Sequence, residues 1–221
     1  MKVSVITPST RRPAQLRACM ERLIETTQGH DVEIICVIDA CLNSLIALDG
    51  LDIIVLDNPK HQGAAACWNQ GSEVATGDAF VLGSDDVVYH PGWLDAALAA
   101  LESIGGSGMV GLNDTHVPEH AFATHYLMTR DFIMEHMGGC FVIPSYGHQY
   151  IDIEATARGR RARQYIWAKD AIVEHRHPAH KNAPRDEVYA LGASFMAADQ
   201  ATYGIRLAAG FPDDFGPILK E

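Results

Sequence analysis

Four short apolar runs, Val3–Ile6, Val32–Ile38, Ile53–Leu56 and Ala79–Leu82, each stop abruptly, at Thr7, Asp39, Asp57 and Gly83-Ser84, and stretches with helical spacing separate them. A strand buried on both faces reads as an unbroken apolar run, and this happens where crossover helices cover both sides of a parallel sheet. After the first run and Thr7-Pro8-Ser9, Pro13 sits where the first turn of a helix belongs. Leu16, Cys19, Met20, Leu23 and Ile24 then recur on one face. Ala64–Ala75 is Ala-rich and helix-compatible, and Pro91-Gly92-Trp93 opens a helix through Leu101. The pattern predicts an α/β protein with a Rossmann-like, mostly parallel sheet flanked by helices.

Sheets of this kind bind ligands beyond the carboxyl ends of their strands. Here those ends carry Thr7-Pro8-Ser9, Asp39, Asp57 and Ser84-Asp85-Asp86. One acid at a strand end is an ordinary turn former or helix cap; four polar ends on one edge predict a cleft. Adjacent carboxylates suit a hard divalent cation, Mg²⁺ or Mn²⁺, bridging to phosphate oxygens. The competing reading of Asp85 and Asp86 is a solvated turn that caps the helix after Pro91.

The second half is less regular. Strands are expected over Gly105–Leu112, Ala123–Thr129 and Ala171–His175, and helices over Arg130–Met137, Asp152–Gly159 and most of Asp186–Ala209. No composition shift marks a linker, so one domain over 1–221 is expected, with a ligand-binding half (1–112) and a C-terminal extension (113–221). His175 and His177 lie two apart in a strand and so face one side. They are candidate metal ligands or phosphate contacts; with His180 nearby, a zinc site and a pair of surface histidines stay open as alternatives. Of Asp152 and Glu154, one is a candidate general base and the other a helix-start acid favoured by the dipole. Gly63–Gly71 lacks the GxxxxGK[ST] spacing of a P-loop. The run Arg158–Arg163 reads as a solvated basic face or a phosphate or acceptor contact.

A net charge of −11 and a pI near 5.4 argue against broad binding to nucleic-acid backbones or anionic membranes. Five cysteines without a CxxC pair read as reduced thiols. No apolar run approaches a membrane span, and the N-terminal apolar stretch is short for a signal peptide. A cytoplasmic location is the expectation.

The order of these motifs resembles family 2 of the inverting glycosyltransferases, whose fold is the GT-A nucleotide-sugar-binding fold. VSVITPSTRRPAQLRACMERL is similar to that family's first strand, loop and helix, and IICVIDAC to its second strand. GAAACWNQGSEVATGDAFVLGSDDVVYHPGWLDAAL carries the strongest similarity. The likeness is good over roughly 1–101 and weaker through YIDIEATARGRRARQYIWAKDAIVEHRHP. It implies a nucleotide-sugar donor, UDP by default, an acceptor hydroxyl and a divalent cation, Mn²⁺ or Mg²⁺. It further implies that Thr7, Pro8, Ser9 and Asp39 line the base and ribose pocket, that Arg11 meets the diphosphate, and that Asn69 supports the nucleotide side. Ser84, Asp85 and Asp86 would be the variant DxD motif, the acids holding the metal with His175 and His177, and Asp152 the catalytic base. The acceptor side would be formed by the extension, its acceptor a glycan, metabolite, protein or modified nucleobase. Gly83 departs from the family, which often has aspartate there.

Two rivals belong to other classes. A sugar-phosphate nucleotidyltransferase usually has a glycine-rich basic loop after its first strand, and TPSTRRP has no glycine. A degenerate GT-A domain acting as a binding module has Gly83 as its support.

Overall fold

The computed structural model describes residues 1–219. Eight strands form one sheet: β1 (Val3–Ser9), β2 (Val32–Asp39), β3 (Ile54–Asn58), β4 (Ala79–Leu82), β5 (Val87–Tyr89), β6 (Met109–Asn113), β7 (Tyr126–Thr129) and β8 (Tyr165–His175). The helices are α1 (Pro13–Thr26), α2 (Leu42–Ala47), α3 (Ala64–Val74), α4 (Trp93–Ser103), α5 (Arg130–His136), α6 (Ile151–Ala162), α7 (Glu187–Ser194) and α8 (Met196–Ala208), with a 3₁₀ turn at Pro178–His180. The strand order is β3-β2-β1-β4-β7-β6-β8-β5. The first four strands pair in parallel, as the apolar runs predict.

The expected sheet is then interrupted. β7 enters antiparallel between β4 and β6, and β5 pairs antiparallel with β8. β5 was not expected. Three residues are too few for a periodicity signal, and the strand exists because β8 offers it an edge. β8 itself runs eleven residues, from Tyr165 rather than Ala171, because β6 holds its first half in parallel register. The helical stretch after Asp186 is two helices broken at Phe195.

Two apolar layers sandwich the sheet. One is built on Leu16, Met20, Trp93 and Leu101 from α1 and α4, the other on Trp68, Phe132, Phe141 and Tyr146. α3 lies close on β1 because Gly71 allows it: a Cβ there would stand 2.4 Å from Ile6 Cγ2. Cys19, Cys36, Cys67 and Cys140 are buried free thiols, and Cys41 is half-buried and free.

The C-terminal part is fastened by charge. Glu154, fully buried on α6, accepts from Arg158 Nε at 2.9 Å, Arg206 Nε at 2.9 Å and the Tyr146 hydroxyl. The two guanidinium groups carry on to Asp213 and Asp214 and to the carbonyls of Phe211 and Pro212. The tail therefore folds back on its own chain, and Leu219 is buried with its N–H on Gly139 O. The basic run divides: Arg158 is buried in the ionic cluster, whereas Arg160, Arg161 and Arg163 are exposed, as a solvated face would have them. Arg160 donates to the carbonyls of Glu119 and Ala121, and Arg161 to that of Gly210.

Among the described residues, no helix is long and apolar enough to cross a membrane. Removing one member of a buried ionic cluster leaves its partners uncompensated. E154A is accordingly expected to lower the unfolding free energy by about 3–5 kcal/mol, measured by urea titration. D57A, at an exposed position near the end of β3 and outside the cluster, is expected to change it by less than about 0.5 kcal/mol.

Candidate active-site cleft

The strand ends open onto a cleft of about 380 Å³, whose lining includes Pro8, Ser9, Ser84, Asp85, Asp86, Asp152, His175 and His177. Asp57 lies outside it, toward solvent. At the centre, Asp85 and Asp86 are both buried. Asp85 accepts from the Ser9 hydroxyl at 2.6 Å and from Arg12 Nη1 at 3.0 Å. Asp86 accepts from the Ser84 hydroxyl and from Tyr189 Oη at 3.1 Å, and has Arg12 Nη1 and His175 Nε2 each at 3.5 Å. Burial, and then the charge of Asp86, push Asp85 up to about 6. Burial opposes ionisation of Asp86 too, but contact with His175 and Ser84 outweighs it and holds Asp86 below the usual carboxylate range. These acids are thus not a solvated turn.

Arg12, and not Arg11, serves this site. Arg11 has φ 57°, in the left-handed region, so the chain turns there; its side chain runs outward to Glu187. Arg12 precedes Pro13, which disfavours helical dihedrals for it. With φ −128° its side chain turns in between Asp85, Asp86 and Asp186, bidentate on the last at 2.7 and 2.8 Å. Its guanidinium also stacks 3.9 Å over the Tyr189 ring. Sequence reading picked the neighbour because two adjacent arginines are indistinguishable without the backbone turn; the pre-proline position was the available signal.

The structure places the other expected residues unequally. Pro8 and Ser9 line the cleft. Thr7 is fully buried beneath it, outside the lining. Asp39 lines the cleft, but its carboxylate is taken by the N–H groups of Gln62 and Gly63 at 2.7 and 3.0 Å and by His61 at 2.6 Å. It thereby fixes the loop leading into α3. Asn69 is a correction: it is buried and clamps Val142 through both its amide groups, away from the cleft. Gly83 has a packing cause. A Cβ there would lie 2.4 Å from Thr7 Oγ1 and 3.0 Å from the Ile6 carbonyl, so an aspartate has no room in this chain.

Facing the acids is a wall of histidines that the sequence only partly announced. His175 is held at the end of β8, its N–H on Asp114 O. Burial lowers its affinity for a proton, but Asp86, Asp114 and Asp152 together raise it above an ordinary imidazole. His177 also lines the cleft; its Nδ1 accepts the Ala179 N–H, and burial and His175 push it down to about 4. His125 and His148, not singled out from sequence, line it as well; His125 is buried, and desolvation lowers the proton affinity of both rings. Asp152 stands in the first turn of α6, and burial pushes it up to about 6 against the hydrogen bond from the Ile153 N–H. Of the two α6 acids, Asp152 faces the cleft while Glu154 is the structural ion.

Comparison with known proteins names the family. Residues 4–150 match the model of Glycosyl transferase family 2, and the chain belongs to that family. It is 28% identical over 103 residues to an uncharacterized glycosyltransferase of Haemophilus influenzae, covering 45% of this chain and 34% of that protein. The mannosyltransferase PcManGT from Pyrobaculum calidifontis, solved in complex with GDP-Man and Mn²⁺, superposes with TM-score 0.65 and 18% identity over 79% of this chain and 56% of its own. S. aureus TarS 1–349 superposes with TM-score 0.61 and 15% identity, over 78% and 59%. The fold is therefore that of the GT-A glycosyltransferases. The chain spans about a third of the H. influenzae relative and somewhat over half of the two structures.

R12A leaves two buried acids without their cation and is expected to cost about 3 kcal/mol, read as a drop in Tm. The loss depends on pH with a definite sign. Asp85 is already raised to about 6, and without Arg12 it rises further, so the folded state binds a proton that the unfolded state releases above about pH 4. Stability of the variant then recovers as pH falls through 6. Thermal melts at pH 7.5 and 5.0 should show a smaller deficit at pH 5.0.

Proposed function

We propose that the protein is a metal-dependent inverting glycosyltransferase that moves a sugar from a nucleoside diphosphate donor to an acceptor hydroxyl. The observation that carries this reading is Asp152. It is a carboxyl group raised to about 6, in the same cleft as the buried acid pair at the sheet's carboxyl edge. A base poised just below neutral pH is ionised when the enzyme works yet strong enough to accept a hydroxyl proton.

In this mechanism the Asp152 carboxylate takes the acceptor's proton as the hydroxyl oxygen attacks the anomeric carbon. The bond from that carbon to the diphosphate oxygen breaks, and the nucleoside diphosphate leaves with the bonding pair. A single displacement inverts the anomeric centre and needs one base. Pro8 and Ser9 would line the nucleotide side. Asp85 and Asp86, with His175 and His177, offer the oxygen and nitrogen donors that fit a divalent cation, Mn²⁺ or Mg²⁺. Such an ion neutralises charge on the leaving diphosphate. Arg12, already bound to both acids, is the resident positive charge that would turn to the diphosphate when the acids take the ion. Residues 1–112 would serve the donor and 113–221 the acceptor, as one domain. UDP is the default nucleotide on family grounds; the GDP-Man in the PcManGT complex makes GDP the second to try.

D152N is expected to reduce transfer at least 10³-fold, measured with the donor that calorimetry selects from UDP-, GDP-, CDP- and dTDP-sugars in Mn²⁺ and in EDTA. In the wild type, kcat should rise with pH through about 6. D152N should also melt about 2–4 °C higher at pH 7.5, because a carboxyl with a raised pKa costs stability once ionised. Donor binding unaffected by EDTA would remove the metal from the proposal, and a product retaining the donor's anomeric configuration would remove the single displacement.

A further inference from the structure

Beside the acid pair, three side chains that no part of the transfer mechanism uses together converge on one point. Asp114, His175 and His180 each bring a ligand atom within 4.8 Å of the other two. They come from separate elements: the end of β6, the end of β8 and the 3₁₀ turn. We propose that these three residues form a binding site for a first-row transition-metal dication, with two imidazoles and one carboxylate as protein ligands and further coordination positions open to the cleft.

The argument begins with His175. Its ring is ordered between two neighbours: Nε2 lies 3.5 Å from the Asp86 carboxylate, while Nδ1 is buried with no hydrogen-bond partner among the described residues. A buried imidazole nitrogen left unsatisfied costs free energy unless something is meant to meet it. A metal-ligating histidine commonly donates its other N–H to a carboxylate, which sets the tautomer and leaves the first nitrogen free for the ion. Asp86 is in the position of that carboxylate. In a plain hydrogen-bond network Nδ1 would instead be bonded to Asp114 or His180.

The other two ligands are held with similar care. Asp114 is fully buried. Its Oδ1 accepts the N–H groups of His116 and Val117 at 2.9 and 2.7 Å, and its Oδ2 accepts the Thr124 hydroxyl at 2.8 Å. Each carboxylate oxygen has two lone-pair sites, so Oδ2 keeps one for an ion. The His180 ring stacks on His116 at 3.9 Å with the planes 9° apart. Three atoms no more than 4.8 Å apart lie within about 2.8 Å of a common centre, against about 2.0–2.2 Å for a zinc bond to nitrogen or oxygen, so the cluster closes on an ion by a shift of an ångström or less.

The donor set decides the class of ion. Two neutral imidazoles and a carboxylate suit Zn²⁺, Co²⁺ or Mn²⁺ and disfavour Ca²⁺ and Mg²⁺, which prefer all-oxygen shells. His175 and His180 line the cleft, so the open positions face whatever occupies it. The set shares His175 with the acid pair but is otherwise distinct from it, and it stands whether or not the transferase reading does.

The test is titration of untagged, chelator-stripped protein with Co²⁺ alone, followed by the visible d–d absorption of the bound ion, with circular dichroism confirming that each variant is folded. No nucleotide is present and Arg12 occupies the acid pair, so the expected result is one equivalent bound at micromolar Kd by the wild type. D114N and H180A should each weaken it about 100-fold or more, while D85N and H177A keep it within about threefold. His177 is the fitting control because its Nδ1 is already engaged by the Ala179 N–H. No absorption band up to millimolar Co²⁺ would overturn the site. So would a band lost in D85N and retained in H180A, which would return the ion to the acid pair. Nucleotide binding is measured separately on the same samples. A Co²⁺ band without binding of any nucleotide, with or without metal, counts against the transferase and not against this site.

Discussion

Two carboxylates buried side by side at a strand end cannot both stay charged without a cation, and the cleft is built around meeting that demand. Arg12 meets it here. It reaches Asp85 and Asp86 from the loop after β1 and Asp186 from the start of α7, so one guanidinium joins the first strand, the fourth strand and the C-terminal helices. Tyr189 completes the tie by stacking on Arg12 and donating to Asp86. The C-terminal segment consequently sits over the acid pair through contacts that a competing cation would loosen. In the proposed mechanism stability and function meet at this point, since the charges that hold the segment down are the ones a diphosphate and its ion would need.

A second ionic cluster does the opposite job. Glu154, Arg158 and Arg206 are buried away from the cleft and bind each other and the tail. The chain thus uses two acids, two residues apart on one helix, for different ends. Asp152 is left with little but its own helix's N–H to stabilise its charge, and its proton affinity rises. Glu154 meets two guanidinium groups and is held below the usual carboxylate range despite burial. Environment, and not residue type, separates a candidate base from a fastening.

Much of the N-terminal half was legible in the sequence. Apolar runs announced β1 to β4, most fully for β4, which is buried throughout; Ser4 and Glu33 interrupt β1 and β2, and β3 is a half-exposed edge strand. The residues that end the runs announced the cleft. The histidines after β8 and the acids of α6 were visible as candidates. The mistaken positions share one cause. Thr7 and Asn69 are polar residues at positions where likeness to a family suggests a ligand, yet here they face the interior, and Asn69 spends its amide on a backbone it cannot reach in sequence. Arg11 and Arg12 exchanged roles because a single left-handed residue reverses which side chain turns inward.

The sequence by itself determined the class of fold, the edge of the sheet where ligands would gather and the residue types available there. Periodicity and chain punctuation are local properties, written within a few residues of each other. Only the tertiary structure decided which charges meet: that Arg12 answers Asp85 and Asp86, that β7 reverses the sheet, that Asp152 rather than Glu154 faces the cleft, and that Asp114 comes to His175 and His180. Those pairings join residues tens of positions apart. They are set by which surfaces pack and how far each carboxylate is drawn from water, quantities that exist only once the chain has folded.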